Sequence, residues 1–157
     1  MAKAIQHQLF YPKPPQLVWD YLTKPELIAL WLMAGDFKPE VGHEFQFKTK
    51  PIPEMDFDGI FYCEVLEVVP FTQLSYSWKY GNGDGKLNNS VVNWTLTEKD
   101  NGTELLLVHR GFEGWEITPI FAGMNAGWLS NMNKIFIVYV FRRGINRMKT
   151  SLGIYLP

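Results

Sequence analysis

The residue best placed to do chemistry in this sequence is His109. It alternates in phase with Leu105 and Leu107, and this period of two predicts an inward-facing position on a strand. An imidazole there could orient a ligand or act as a general base, because its reference pKa lies near neutrality. The other interpretation is a buried histidine that only hydrogen-bonds, to Tyr76 or to a backbone carbonyl. We favour the second, because no nucleophile is identifiable and nothing marks Cys63 as an activated thiol. No catalytic residue is assigned.

Metal and phosphate sites are not predicted. None of the three histidines has a second ligand at metal spacing. Residues 82–88 (NGDGKLN) are faintly similar to a calcium loop, but Lys86 replaces an acidic ligand and Asn93 stands where the closing glutamate belongs. The glycines of this stretch also lack the strand-to-helix context that phosphate binding needs. We interpret it as a turn and predict neither a metal nor a cofactor.

Aromatic residues make up 15% of the chain, and six of them are tryptophans. Small-molecule pockets are mostly apolar with a few placed polar groups, and this set fits that description. The alternative is that the rings simply fill the core, each contributing ~1.5–3 kcal/mol as a buried large apolar side chain. The candidate ligand-binding residues are Trp31, Phe47, Tyr76, Trp78, Trp94, His109, Phe112, Trp115, Trp128 and Met132, with Trp31 expected at the rim of the pocket.

One long helix over residues 127–141 is predicted to organise these side chains. Its apolar residues recur at steps of four, three and four, which stacks them on one helix face. They are Trp128, Met132, Ile135 and Tyr139, with Leu129, Phe136 and Val140 widening the stripe. Gly144 is expected to end the helix.

Strands and two short helices are predicted before it. The first strand covers residues 4–11, Pro15 opens the first helix, and residues 23–26 (TKPE) form a capping box for a second helix over residues 26–32. Period-two alternation then predicts five strands at residues 41–50, 57–69, 72–80, 90–98 and 103–111.

Two local irregularities are expected in these strands. Glu64 and Glu67 lie three apart, so a β-bulge between them is needed to keep both on the outer side. Asn101 and Gly102 are expected to supply the positive φ values of a tight hairpin turn. Short turns between successive strands predict antiparallel neighbours.

Composition and charge restrict the class of protein. A length of 157 residues predicts one domain over residues 1–157, and the net charge of −1 argues against general nucleic-acid binding. The apolar run at residues 135–141 is too short to span a bilayer, so no membrane insertion is expected. One cysteine and no recognisable leader favour a cytoplasmic setting. The basic C-terminal end is either a solvated helix end or a partner-binding patch.

Several stretches in order resemble the activator of heat-shock-protein-90 ATPase homologue-like family of the START-like (SRPBCC) helix-grip superfamily. They are residues 15–19 (PQLVW), 23–27 (TKPEL), 65–70 (VLEVVP), 74–78 (LSYSW), 90–98 (SVVNWTLTE), 102–105 (GTEL), 109–111 (HRG) and 127–128 (GW), together with Trp31 and Gly59. The resemblance spans about residues 5–135, and residues 144–157 are an unmatched tail. It implies an α+β helix-grip fold, in which a curved six-stranded antiparallel sheet wraps around the C-terminal helix and encloses a largely apolar cavity.

On this resemblance we expect a hydrophobic or aromatic small molecule to bind in the cavity, without established catalysis. A co-chaperone or stress-response protein that acts on a chaperone ATPase is the alternative implied by the family. An enzyme acting through His109 is a third. A homodimer is also expected, because residues 136–141 and the tail offer more apolar surface than one helix face needs.

Overall fold

A computed structural model describes residues 3–115 and 118–151, with side chains described up to residue 139. Six antiparallel strands form one sheet in the order β1-β6-β5-β4-β3-β2. They are β1 (Ile5–Tyr11), β2 (Glu44–Lys48), β3 (Ile60–Val69), β4 (Gln73–Ser77), β5 (Val91–Lys99) and β6 (Gly102–Arg110). This confirms the predicted α+β helix-grip architecture. The first strand in the chain pairs with the last, and β2 forms the other edge of the sheet.

Three α-helices accompany the sheet: α1 (Pro15–Thr23), α2 (Pro25–Trp31) and α3 (Pro119–Ser151). The long helix begins eight residues earlier than the sequence predicts and continues through Gly144, so the prediction that Gly144 ends it was wrong. A glycine inside a helix costs only about 1 kcal/mol relative to alanine, which a helix of 33 residues tolerates. The last six residues of the predicted tail lie outside the described residues.

The buried stripe of α3 is narrower than expected. Trp128, Met132 and Ile135 are buried, whereas Leu129 and Phe136 are about two-fifths exposed. The side chain of Val140 lies outside the described residues. No helix within the described residues combines the length and apolar character that crossing a membrane requires.

The predicted capping box is also wrong. Thr23 is the last residue of α1, and its hydroxyl donates to the Trp19 carbonyl oxygen at 2.8 Å. Lys24 is the N-cap of α2 and has no side-chain capping bond. Pro25 explains the shift, because it can occupy the first helical position and has no amide hydrogen to be capped.

The bulge in β3 is confirmed, whereas the hairpin turn is displaced by one residue. The pairing of β3 with β4 shifts register between Val65 and Glu67. In the turn between β5 and β6, Asp100 (φ 49°) and Asn101 (φ 60°) take the left-handed conformation. Gly102 is already the first residue of β6 and pairs with Lys99 of β5. Gly102 is required there for a different reason, which is close packing against β1.

The core lies on the inner face of the sheet, beneath α3. Paired residues cross five strands in one continuous row on this face: Ile5, His109, Val92, Tyr76 and Val65. All five are buried. The row places His109 in the middle of an otherwise apolar or aromatic surface.

Gly102→Ala should destabilise the protein. An added Cβ would lie 2.5 Å from the Tyr11 carbonyl oxygen and would also meet the ring of Phe10. Overpacking of this kind typically costs about 1–3 kcal/mol. Urea unfolding of the variant and the parent chain measures the loss.

Gly123→Ala is the matched control. This glycine lies in α3 with nothing within 4 Å of an added Cβ, so the substitution should stabilise the chain by about 0.5–1 kcal/mol. Effects of equal sign at the two positions would contradict the packing of β6 on β1.

Candidate functional site

The structure brings the ten predicted ligand-binding residues into one buried layer between the sheet and the helices. Their side chains are 0–6% exposed. They lie on the strands β2, β4, β5 and β6 and on the helices α2 and α3, on the residue that follows β4, and on the segment after β6. Trp31 does not lie at a rim, as we had expected. Its Nε1 donates to the Tyr21 carbonyl oxygen at 2.7 Å, and its ring packs edge-on against Trp94.

A chain of hydrogen bonds passes through His109. Trp128 Nε1 on α3 donates to His109 Nδ1 at 2.9 Å. Because Nδ1 accepts this bond, the neutral ring carries its proton on Nε2 and donates it to Ser90 Oγ at 2.7 Å. The Ser90 hydroxyl in turn donates to the Trp78 carbonyl oxygen at 2.6 Å. The partners are therefore Trp128 and Ser90 rather than Tyr76.

This environment keeps His109 uncharged. Burial lowers its pKa to about 3, because an imidazolium would lose its hydration without gaining a counter-charge. Both ring nitrogens are also occupied by protein groups. In this conformation the ring has no free basic nitrogen to act as a general base, which counts against an enzyme acting through His109.

Several aromatic rings pack against Trp78. The ring centroids of Phe61, Trp128, Phe47 and His109 lie 4.4, 5.1, 5.7 and 5.9 Å from that of Trp78. Trp78 is 2% exposed, and its Nε1 has no hydrogen-bond acceptor among the described residues. A buried donor without an acceptor typically costs about 1–3 kcal/mol, so this N–H is an unsatisfied group at the centre of the layer.

Two further buried groups near Trp78, the Tyr76 hydroxyl and the Cys63 thiol close to it, stay protonated. Burial raises the pKa of the Tyr76 hydroxyl and that of the Cys63 thiol well above their usual ranges. Tyr76 Oη accepts the Trp94 Nε1 hydrogen at 2.9 Å. Among the described residues no group of three or more metal-ligating side chains occurs. The layer therefore offers neutral polar groups and apolar surface.

Surface clefts lie away from this layer. One of about 920 Å³ is lined by outward-facing residues of β2 and β3, among them Gln46, Lys48 and Tyr62. Another of about 690 Å³ lies beside α1, where Trp19 and Phe71 contribute. None of the ten predicted residues lines either cleft. In this conformation the rings themselves occupy the space between sheet and helix.

Sequence reasoning missed Ser90 and Phe61. Ser90 is in phase with Val92 and Trp94, so strict alternation could have placed its hydroxyl on the inner face beside His109. Phe61 is in phase with Cys63 on β3 and was available from the same pattern.

Comparison with known proteins identifies the family of this chain. The model of the family described as Activator of Hsp90 ATPase homolog 1-like protein matches residues 12–137. The chain belongs to this family. The resemblance inferred from residues 5–135 is thereby confirmed, with nearly the same limits. No curated protein sequence matched the chain.

Solved structures show the same helix-grip fold. Protein MLL2253 from Mesorhizobium loti is 34% identical with a TM-score of 0.76, over 87% of this chain and 96% of that one. DynU16, a protein of the dynemicin biosynthetic locus, is 25% identical with a TM-score of 0.66, over 85% of this chain and 45% of that one. The Aha1 dimer from Colwellia psychrerythraea shares the fold at 17% identity and a TM-score of 0.65, over 85% of this chain and 92% of that one.

Homodimerisation of this family member stays a prediction. The Colwellia protein is described as a dimer, and its likeness to this chain is one of fold. On this chain Phe136 and Ile137 of α3 are 42% and 63% exposed, and the side chains from residue 140 onward lie outside the described part.

His109 should stay neutral well below pH 6.5. An unfolded chain protonates this imidazole near pH 6.5 but the folded chain only near pH 3, so folded stability is lost as the pH falls between these values. From pH 7 to pH 5 this residue alone should remove about 2 kcal/mol. Nitrogen NMR of the imidazole should show an unprotonated Nδ1 at both pH values, and urea unfolding measures the loss.

The same measurements on His109→Gln provide the comparison. That variant should be less stable than the parent at pH 7, because it loses the contact with Trp128, yet it should lose about 2 kcal/mol less between pH 7 and pH 5. An NMR titration of His109 with a midpoint near 6.5 would contradict the hydrogen-bonded, uncharged ring.

Proposed function

We propose that this protein binds a hydrophobic or aromatic small molecule between the inner face of the sheet and α3. The observation that carries the proposal is the indole N–H of Trp78, which is buried among aromatic rings with no acceptor in the described residues. Buried polar groups are nearly always paired, so an unpaired one at the centre of an aromatic layer points to a partner from outside the chain.

The chemistry of the surrounding layer supports this proposal. The walls are aromatic and aliphatic, and His109, Ser90 and Tyr76 are the polar groups set into them. This is the composition expected of a small-molecule pocket. DynU16, which shares the fold at 25% identity, is described as a protein of the dynemicin biosynthetic locus, and we take this biosynthetic setting as support for the proposal.

Binding must be accompanied by movement of side chains. The rings fill the space in this conformation, so a guest has to displace some of them and take over their contacts. Protein interiors are close-packed and leave few voids larger than a water molecule. The apparent affinity is therefore reduced by the cost of opening the layer.

A thermal-shift screen with neutral polycyclic aromatic compounds tests the proposal. A ligand present at about 100 times its Kd stabilises the folded state by about 2.7 kcal/mol, which raises Tm by roughly 5–10 °C for a chain of this size. At least one compound of the panel should produce such a shift. The increase should be smaller in Trp78→Phe, which lacks the indole N–H.

Trp19→Phe is the matched control for this screen. Trp19 is also a buried indole, but it packs against Phe71 outside the layer. Its variant should keep the full ligand-induced shift. The absence of any binder, or an equal loss of the shift in both variants, would refute binding at this site.

The second candidate function is stimulation of a heat-shock-protein-90-type ATPase. The family match favours it, because the family is described by that activity. The exposed apolar residues Leu129, Phe136 and Ile137 of α3 supply a surface for a protein partner. Under this candidate, adding the protein should raise the ATPase rate of the chaperone, and Ile137→Asp should reduce that increase. An unchanged rate would rule the candidate out.

A further inference from the structure

The polar groups of the buried layer differ in whether their hydrogen-bonding capacity is already used. On the acceptor side, His109 Nδ1 receives the Trp128 hydrogen and Ser90 Oγ receives the His109 hydrogen. The Ser90 hydrogen goes to a backbone oxygen. These acceptors are already used by groups of the protein, so little acceptor capacity is left for a ligand.

Among the described residues, the Trp78 indole N–H has no acceptor, and no acceptor is found for the Tyr76 hydroxyl hydrogen. Trp78 Nε1 has no partner among the described residues. Tyr76 Oη accepts from Trp94, and no bond donated by its own hydrogen is found among the described side chains. The two residues are two positions apart on the inner side of the same chain segment, with ring centroids 6.4 Å apart. The unused capacity is therefore a pair of neighbouring donors.

The layer also lacks charge. The buried polar residues of the described part are Thr23, Ser75, Ser77, Ser90, Thr103 and His109. No aspartate, glutamate, lysine or arginine is among them, so a charged guest would be desolvated without a counter-ion. A guest with its own N–H or O–H donors would find few free acceptors and would leave those donors unpaired.

We propose that the ligand is a neutral aromatic molecule carrying a hydrogen-bond acceptor, such as an aryl ketone, a quinone or an aryl ether, and that Trp78 Nε1 donates to this acceptor with the Tyr76 hydroxyl as a second donor. This inference rests on the proposed small-molecule binding and adds the chemical class of the ligand. The acceptor gives Trp78 Nε1 its missing partner next to the neighbouring Tyr76 ring, while the aromatic body replaces the ring contacts that binding displaces.

Three naphthalenes of similar size test the inference by isothermal titration calorimetry. 2-Acetylnaphthalene carries a carbonyl acceptor, 2-ethylnaphthalene replaces that carbonyl with a methylene, and 2-naphthoate carries a negative charge. The ketone should bind roughly ten-fold more tightly than the hydrocarbon, because it satisfies a buried donor. The carboxylate should bind more weakly than the ketone, because no counter-charge is present.

Variants assign the preference to its donors. In Trp78→Phe the ketone and the hydrocarbon should bind about equally, whereas Tyr76→Phe should reduce the preference in part. Trp19→Phe, which alters an indole outside the layer, should preserve the ten-fold difference. Circular dichroism confirms that each variant is folded, and Tyr76→Phe keeps the test usable where Trp78→Phe is not.

The outcomes distinguish an error in the ligand class from a failure of the proposed small-molecule binding. Equal binding of the ketone and the hydrocarbon to the parent chain would overturn the ligand class while leaving small-molecule binding intact. A ketone preference that survives in both Trp78→Phe and Tyr76→Phe would overturn the assignment of the donors. If none of the naphthalenes binds, small-molecule binding in the layer is itself contradicted.

Discussion

The buried His109 links α3 to the sheet through directional hydrogen bonds that require a neutral ring. His109 accepts from Trp128 on α3 and donates to Ser90, whose hydroxyl reaches the backbone after β4. The chain of bonds fixes one tautomer of the ring. Trp128 only donates and the Trp78 carbonyl oxygen only accepts, whereas His109 and Ser90 each do both. Losing one of these side chains therefore leaves a neighbouring group buried and unpaired, at a typical cost of about 1–3 kcal/mol. The long helix is thus positioned by directional bonds as well as by apolar contact.

Most of the fold could be predicted from the sequence because half-buried strands and helices carry different periods. The alternation through Val92, Trp94 and Leu96 predicted β5 to within a residue, and the spacing of Glu64 and Glu67 predicted the bulge. The local sequence signals for where helices begin and end and where strands turn were less reliable. The expected cap at Thr23 is replaced by Pro25 at the first position of α2, and Gly144 lies within α3. The turn moved by one residue, to Asp100 and Asn101, and Gly102 packs against β1.

Burial of the candidate residues could be predicted from the sequence more readily than their arrangement. Periodicity indicated which strand residues face inward, and all ten candidate side chains are buried, although Trp31 was expected at a rim. It carries no information on how closely those side chains pack, so it could not show that the rings occupy the space between sheet and helix. Partners that come from distant elements, such as Trp128 for His109, are 19 residues apart in the chain and depend on where α3 settles. The unpaired N–H of Trp78 is likewise visible only once all its neighbours are placed.

The pairing of β1 with β6 has a consequence for the synthesis of the chain. Ile5 lies opposite His109, so β1 leaves the ribosome well before its partner strand β6. At typical elongation rates of about 5–20 residues per second, β1 waits roughly 5–20 seconds for β6 to be made. During that interval Ile5 and Tyr11, both buried in the finished protein, have no sheet to join. The apolar side chains of β1 therefore reach their native burial only after the sixth strand emerges.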